Sequence, residues 1–246
     1  MTEKCFEERF RDVEENYKVI TNRIAEAAVR SGRKPEDITF LAATKTVPAE
    51  VINHAIGCGL RFIGENRVQE FMDKYEKIDW DKGVSGQIIG RLQTNKVKSI
   101  IDKVDCIESV DSVRLAAEID RQAGLLGRTV DVFLEINIGG EVSKYGFAPE
   151  EIQSAVQQLA QYSHIKICGL MSVLPKLDRG DEKIHTFFDR MYELFIDIGR
   201  KKQDNISMSF LSMGMTGDFE EAIAHGANLV RIGTGIFGGR PQIVGG

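Results

Sequence analysis

Apolar residues recur along the first thirty positions at steps of three and four, namely Phe6, Phe10, Val13, Tyr17, Ile20 and Ile24, with charges between them. Side chains at that spacing line one face of an α-helix, and Ser31-Gly32 supplies its stop. The pattern then changes to short apolar runs separated by helical stripes. Runs at 38–43, 60–64, 84–89, 104–107, 130–136, 165–171, 206–211 and 229–232 read as strands. Stripes at 49–56, 67–78, 94–101, 112–123, 149–159, 184–198 and 219–224 read as the helices between them. Pro48 and Pro149 sit where a first helical turn tolerates proline, and glycines close several of the helices.

Strands this short and apolar, each joined to the next by one helix, belong in a parallel sheet. Eight such units close most economically into an α/β fold, a single (β/α)8 TIM-type barrel. An extra N-terminal helix, within residues 1–32, is expected to pack on it. An open doubly wound sheet is the alternative. No Pro/Gly/Ser-rich linker or composition break divides the chain, so residues 1–246 are expected to form one domain.

Composition adds mainly exclusions. Lys and Arg number 32 against 37 Asp and Glu, a net charge of −5, which offers no basic field to nucleic acid or to an anionic membrane. No apolar run approaches the roughly 18 to 20 residues of a membrane span. The acidic, interrupted start from Met1 to Glu8 is unlike a signal peptide, so a cytoplasmic location is expected. Cys5, Cys58, Cys106 and Cys168 are scattered, without a C-x-x-C pair and with no His expected nearby at metal-ligand spacing, and read as reduced thiols rather than metal ligands.

In such a barrel the chemistry gathers at the carboxyl ends of the strands. The first strand is followed by Thr44-Lys45-Thr46. A lysine partly desolvated at the barrel mouth keeps more of its neutral amine, the form that attacks an aldehyde to make a Schiff base; a solvated loop lysine is the alternative. Asn66, after the second strand, can cap a helix or hold a ligand. The loop Asn137 to Gly146, after the fifth, carries a second candidate, Lys144. Ser212-Met213-Gly214-Met215-Thr216-Gly217 and Gly233-Thr234-Gly235 follow the seventh and eighth strands, where barrels commonly hold phosphate. A strand-end lysine facing a phosphate cup points to a phosphorylated carbonyl compound, either pyridoxal 5′-phosphate (PLP) or a sugar phosphate bound as in a Schiff-base aldolase.

Seven blocks in order settle that choice by resemblance. They are Ala42 to Thr46, Gly64 to Glu70, Ile89 to Lys96, Ser143 to Gly146, Gly169 to Ser172, Leu211 to Thr216 and Arg231 to Thr234. Together they closely resemble the YggS/PROSC family of PLP homeostasis proteins, which is similar to the barrel domain of alanine racemase. The resemblance implies that Lys45 holds PLP as an aldimine and that Asn66 lies beside the ring. It places Ser212, Thr216, Gly233 and Thr234 on the phosphate, Arg231 at the pyridine nitrogen and Met171 in the pocket wall. Lys144 matches a family lysine linked to PLP transfer or a second binding mode.

Arginine remains protonated and can only donate, so the ring nitrogen would stay unprotonated and be a weak electron sink. Racemases of this fold type also use a tyrosine from a further domain of the partner subunit, and the sequence leaves no room for that domain. The expected function is therefore an intracellular PLP carrier, monomeric, that serves apo PLP-dependent enzymes without robust catalysis; a weak amino-acid racemase is the alternative. Two departures from the family stand out. Gly86-Gln87 replaces the frequent Trp-His, and Gln87 can hydrogen-bond but not titrate. The stretch from Gly239 onward lacks the acidic-aromatic ending common in the family, with little effect expected.

Overall fold

The computed structural model describes residues 3–175, 181–201 and 203–239, with side chains from Phe6 onward; the expectation for the stretch beyond Gly239 lies outside them. Eight parallel strands close in chain order: β1 (Thr39–Ala43), β2 (Phe62–Glu65), β3 (Ser85–Ile88), β4 (Cys106–Val110), β5 (Val130–Glu135), β6 (Ile165–Met171), β7 (Ile206–Ser212) and β8 (Leu229–Ile232). Phe40 pairs with Val230 across the seam, so no sheet edge is left open. The fold is a TIM barrel, with no doubly wound sheet.

Helix α1 (Glu3–Arg30) precedes the barrel, and α2 (Ala49–Gly57), α3 (Val68–Tyr75), α4 (Val97–Ile100), α5 (Val113–Leu125), α6 (Ile152–Leu159), α7 (Lys183–Gly199) and α8 (Phe219–Ala224) connect its strands. A last short helix, α9 (Thr234–Phe237), follows β8. α1 buries Val13, Ile20, Ile24, Ala27 and Ala28 and packs across α2, α8 and α9. Asn16 donates to the carbonyl of Ile236, 3.0 Å away, which ties α1 to the helix that follows β8. No helix among the described residues is long and apolar enough to cross a membrane.

Side chains alternate across each strand. Outward residues such as Ile63, Ile88, Ile107, Val132, Ile167 and Val230 join the helices in the main core. Inward residues, including Leu41, Cys106, Phe133, Cys168, Met171 and Leu229, form a separate cluster inside the barrel. Some boundaries move from those expected. β4 runs to Val110 rather than ending at Ile107, because Glu108 and Ser109 are completely buried in the strand despite their polarity. The stripe at 94–101 divides into a 3-10 turn, Thr94–Lys96, and the single-turn α4. α3 ends at Tyr75, and a second 3-10 turn brings in Trp80.

Trp80 explains Gly86. A Cβ on Gly86 would lie 2.8 Å from the Trp80 ring, so that indole occupies the space a larger residue at 86 would claim. Trp80 is fixed there by its Nε1 donating to the carbonyl of Tyr75 at 2.7 Å and by a tilted ring contact with Phe71. Gln87, one residue on, faces inward and is buried.

Candidate functional site

Residues flanking Lys45 are pinned on both sides. Thr44 is completely buried, and its hydroxyl donates to Glu65 at 2.8 Å. Lys74, from α3, donates to the Thr44 carbonyl at 2.9 Å and to Glu65 at 2.6 Å. Glu70 accepts from the Thr46 amide at 2.7 Å and lies 3.7 Å from the Lys74 amine. Burial raises the Glu65 carboxyl above its ordinary range, against the pull of Lys74. Thr46 sits at φ 63, a left-handed conformation that costs a β-branched residue about 1–3 kcal/mol. The network holds that turn in place, and the turn aims Lys45. The Lys45 amine itself has no hydrogen-bond or ion-pair partner among the described residues.

A cleft between the ends of β8 and β1 is lined by Lys45, Thr46, Gly233 and Thr234, with Arg9 and Phe237 from the helices. Thr216 joins this group: its hydroxyl accepts from the Gly235 amide at 3.2 Å. A Cβ on Gly235 would come within 3.0 Å of the Thr216 methyl, so glycine permits that approach. First-turn amides of a helix lack intrahelical acceptors, and α9 begins at Thr234. Asn66 follows β2 on the neighbouring loop, and its buried Oδ1 has no hydrogen-bond partner. A wider cleft of about 640 Å³ lies away from this mouth, against α7, α8 and the turn before β8, and holds none of the expected site residues.

Beneath the mouth, the inward side chains become charged. Arg231 is buried, donating to the Ser212 hydroxyl and to the Ser172 carbonyl, the latter at 2.7 Å. Ser212 in turn donates to Glu108 at 2.6 Å, and the Arg231 guanidinium lies 3.9 Å from that carboxylate. Burial raises Glu108, with Arg231 and Ser212 opposing it. Glu135 is pushed up to about 7, first by burial and then by Asp111, again against Arg231. Asp218 is likewise raised by burial, and its carboxylate accepts from the Met215 amide at 2.6 Å. One guanidinium thus serves Glu108, Glu135 and Asp218 together.

The structure therefore brings Lys45, Thr216, Gly233 and Thr234 together at one side of the mouth. Ser212 lies below that group: it is completely buried, and its hydroxyl is bonded to Glu108 and Arg231, so it helps hold the arginine. Met171 is completely buried, beside Glu135 and Ser212 in the strand register, and forms part of the floor. Lys144 lies across the barrel on the loop after β5. Its amine is 2.6 Å from Glu141 and donates to the Leu174 carbonyl at 2.8 Å.

Glu65, Glu70, Lys74, Glu108, Glu135 and Asp218 carried no role in the sequence reading. Glu65 and Glu108 leave one signal, an acid directly after an apolar strand run, with Glu65 on the outward face toward Lys74 and Glu108 on the inward face. The cysteines also need a correction. Cys58 stands one turn after His54, and Glu14 joins the pair from α1, so this cysteine does have a histidine close by. Cys58, Cys106 and Cys168 are free thiols.

Comparison with known proteins agrees with the fold. The family described as "Alanine racemase, N-terminal domain" matches residues 14–241. A pyridoxal phosphate homeostasis protein of Aquifex aeolicus is 42% identical over 221 residues, 90% of this chain and 95% of that one. A protein of the same name from Pseudomonas aeruginosa is 36% identical over 93% of this chain and 96% of its own length. Among solved structures, PipY of Synechococcus elongatus with PLP bound superposes with a TM-score of 0.75 at 32% identity, covering 87% of this chain and all of that one. Alanine racemase of Clostridium difficile shares the fold, with a TM-score of 0.71 at 17% identity; the match covers 93% of this chain and 58% of that one. By both sequence and fold, the chain belongs to the alanine racemase N-terminal domain family and, within it, to the YggS/PROSC family of pyridoxal phosphate homeostasis proteins.

Proposed function

We propose that this protein binds PLP covalently through Lys45 and acts as an intracellular carrier, delivering the cofactor to apo PLP-dependent enzymes without robust catalysis of its own. The observation that carries the reading is the Lys45 amine: it alone is unpartnered in a turn whose neighbours on both sides are tied down. Thr216 and the Thr234 amide at the start of α9 stand in the same mouth to receive a phosphate. The orphaned Asn66 Oδ1 suits a ring substituent. These residues fit PLP.

When bound, PLP supplies an electrophilic aldehyde and an electron sink whose strength depends on ring protonation. Arg231, held by Ser212 and the Ser172 carbonyl, has further N–H groups to donate and no capacity to accept. At the pyridine nitrogen it would keep that atom unprotonated. Lys45 then anchors more than it catalyses. Val142, Tyr145, Val173 and Met215 expose apolar surface on the loops after β5, β6 and β7, surface a receiving enzyme can cover. We take the carrier to be a single-domain, cytoplasmic monomer.

The test uses purified, PLP-loaded protein. It should keep a visible band through gel filtration, lose it on borohydride reduction, and restore activity to an apo-aminotransferase. Amino acids incubated with it should not take up solvent deuterium at enzyme-like rates of about 1 s⁻¹ or more. Failure to retain PLP would sink the binding reading, and rapid deuterium uptake would replace the carrier with a racemase.

A further inference from the structure

Away from the mouth, two outer helices bring imidazoles together. His185 and Asp189 stand one turn apart on α7, while Glu221 and His225 stand one turn apart at the end of α8. Residues four apart share a helix face, so each helix presents an acid and an imidazole to the other. His185 Nδ1 is 2.9 Å from His225 Nε2 and 3.3 Å from the Glu221 carboxylate. One ligand atom from each of these three residues lies within 4.8 Å of the other two.

Asp189 explains the orientation. Its carboxylate can only accept, and His225 Nδ1 donates to it at 2.6 Å. In the neutral ring, this leaves the Nε2 lone pair directed at His185 and Glu221. A metal-bound histidine has the same arrangement, with one nitrogen for the ion and the other donating to a carboxylate. The His225 ring also rests against buried Phe188, centroids 5.9 Å apart, which limits its rotation. Ion–donor bonds of about 2.0–2.1 Å in a tetrahedron set neighbouring donors about 3.3–3.4 Å apart. The Glu221 contact at 3.3 Å matches, and the two imidazoles, hydrogen-bonded at 2.9 Å, need separate by only about 0.4 Å.

We propose that His185, His225 and Glu221 form a site for a divalent transition ion of the zinc class, with Asp189 as the orienting residue and water completing the coordination. Two imidazoles and one carboxylate suit Zn²⁺, Ni²⁺ or Cu²⁺ and disfavour Mg²⁺. The ion would staple α7 to α8, the helices on either side of β7 in the chain, and so brace the strand that leads to Thr216. The cluster of Glu14, His54 and Cys58 is a weaker candidate. There His54 Nε2 is paired with Glu14 at 3.0 Å, and its ring stacks on Phe10 at 4.3 Å.

Calorimetric titration of the full chain with Zn²⁺ and, separately, Mg²⁺ tests the proposal. Zn²⁺ should fill one site and raise the melting temperature, while Mg²⁺ gives no binding heat. His185→Ala and His225→Ala should each weaken Zn²⁺ at least about tenfold, and Asp189→Asn about tenfold through orientation alone. His54→Ala with Cys58→Ser should leave that site unchanged. The side chain of His185 is 44% exposed, so its variant will fold and carries the test if His225→Ala does not. Zn²⁺ binding of equal strength in His185→Ala and wild type, or loss of the site in the His54/Cys58 variant instead, would overturn it.

Discussion

Two lysines face the same barrel mouth from opposite sides, and they are held in opposite ways. Around Lys45 the backbone is fixed, by Lys74 on the Thr44 carbonyl and Glu70 on the Thr46 amide, while the amine is left without a partner. At Lys144 the amine is occupied by Glu141 and the Leu174 carbonyl, while the neighbouring Val142 and Tyr145 side chains are exposed. A nucleophile gains from a fixed backbone and a free lone pair, because ordering has been met in folding and no bond need break before attack. By that measure Lys45 fits the proposed covalent ligand better than Lys144 does. Lys144 is better placed to respond when something meets the exposed loops around it.

The sharpest way to break the comparison is to exchange the fates of the two amines. Lys45→Ala should abolish the visible band of PLP-loaded protein, while Lys144→Ala keeps it; absorbance after gel filtration reads both. Next in size is Lys74→Met, which strands the buried Glu65 carboxylate and frees the Thr44 carbonyl. Breaking a buried pair in this way costs about 3–5 kcal/mol, measurable as a lower denaturant midpoint. PLP should also load more slowly, as the turn that aims Lys45 loosens.

A comparable effect depends on pH and sits on the Lys144 side, at the end of β5. Glu135 titrates near 7 when folded against an ordinary value of 4.5. Between those values the folded chain holds a proton that the unfolded chain has released, so stability falls as pH rises. The contribution is complete below pH 4.5 and gone above 7. Glu135→Gln removes that slope. From pH 4.5 to 8 the wild type should lose about 3 kcal/mol more than the variant, an upper figure for one buried carboxyl. Urea titrations at the two pH values check it, and parallel curves would contradict the burial argument. Smallest of all is the effect of Lys144→Ala on stability, at most about 1 kcal/mol for a partly exposed ion pair.

Much of this was legible in the sequence because it is periodic or local. The apolar stripe of α1, the alternating strands and the lysine after β1 each show within a short window. What escaped depends on barrel closure. Lys74 meets Thr44 across thirty residues, and nothing in the spacing between them announces the contact. Glu108 looked like the end of a strand because a buried acid breaks an apolar run, yet Arg231 and Ser212 make it acceptable inside. The bond from Arg231 to Ser212 escaped for a related reason. A hydroxyl at a strand end reads the same whether it faces a ligand or a buried arginine, and only the closed barrel distinguishes them. His225 and His185 were likewise visible singly, but their meeting needs α7 and α8 side by side.

The most direct test of the central claim is borohydride trapping of PLP-loaded protein, followed by peptide mass mapping of the reduced phosphopyridoxyl group. The adduct should fall on Lys45, in near-stoichiometric yield, with Lys144 unmodified. An adduct on Lys144 or elsewhere, with Lys45 left free, would contradict it.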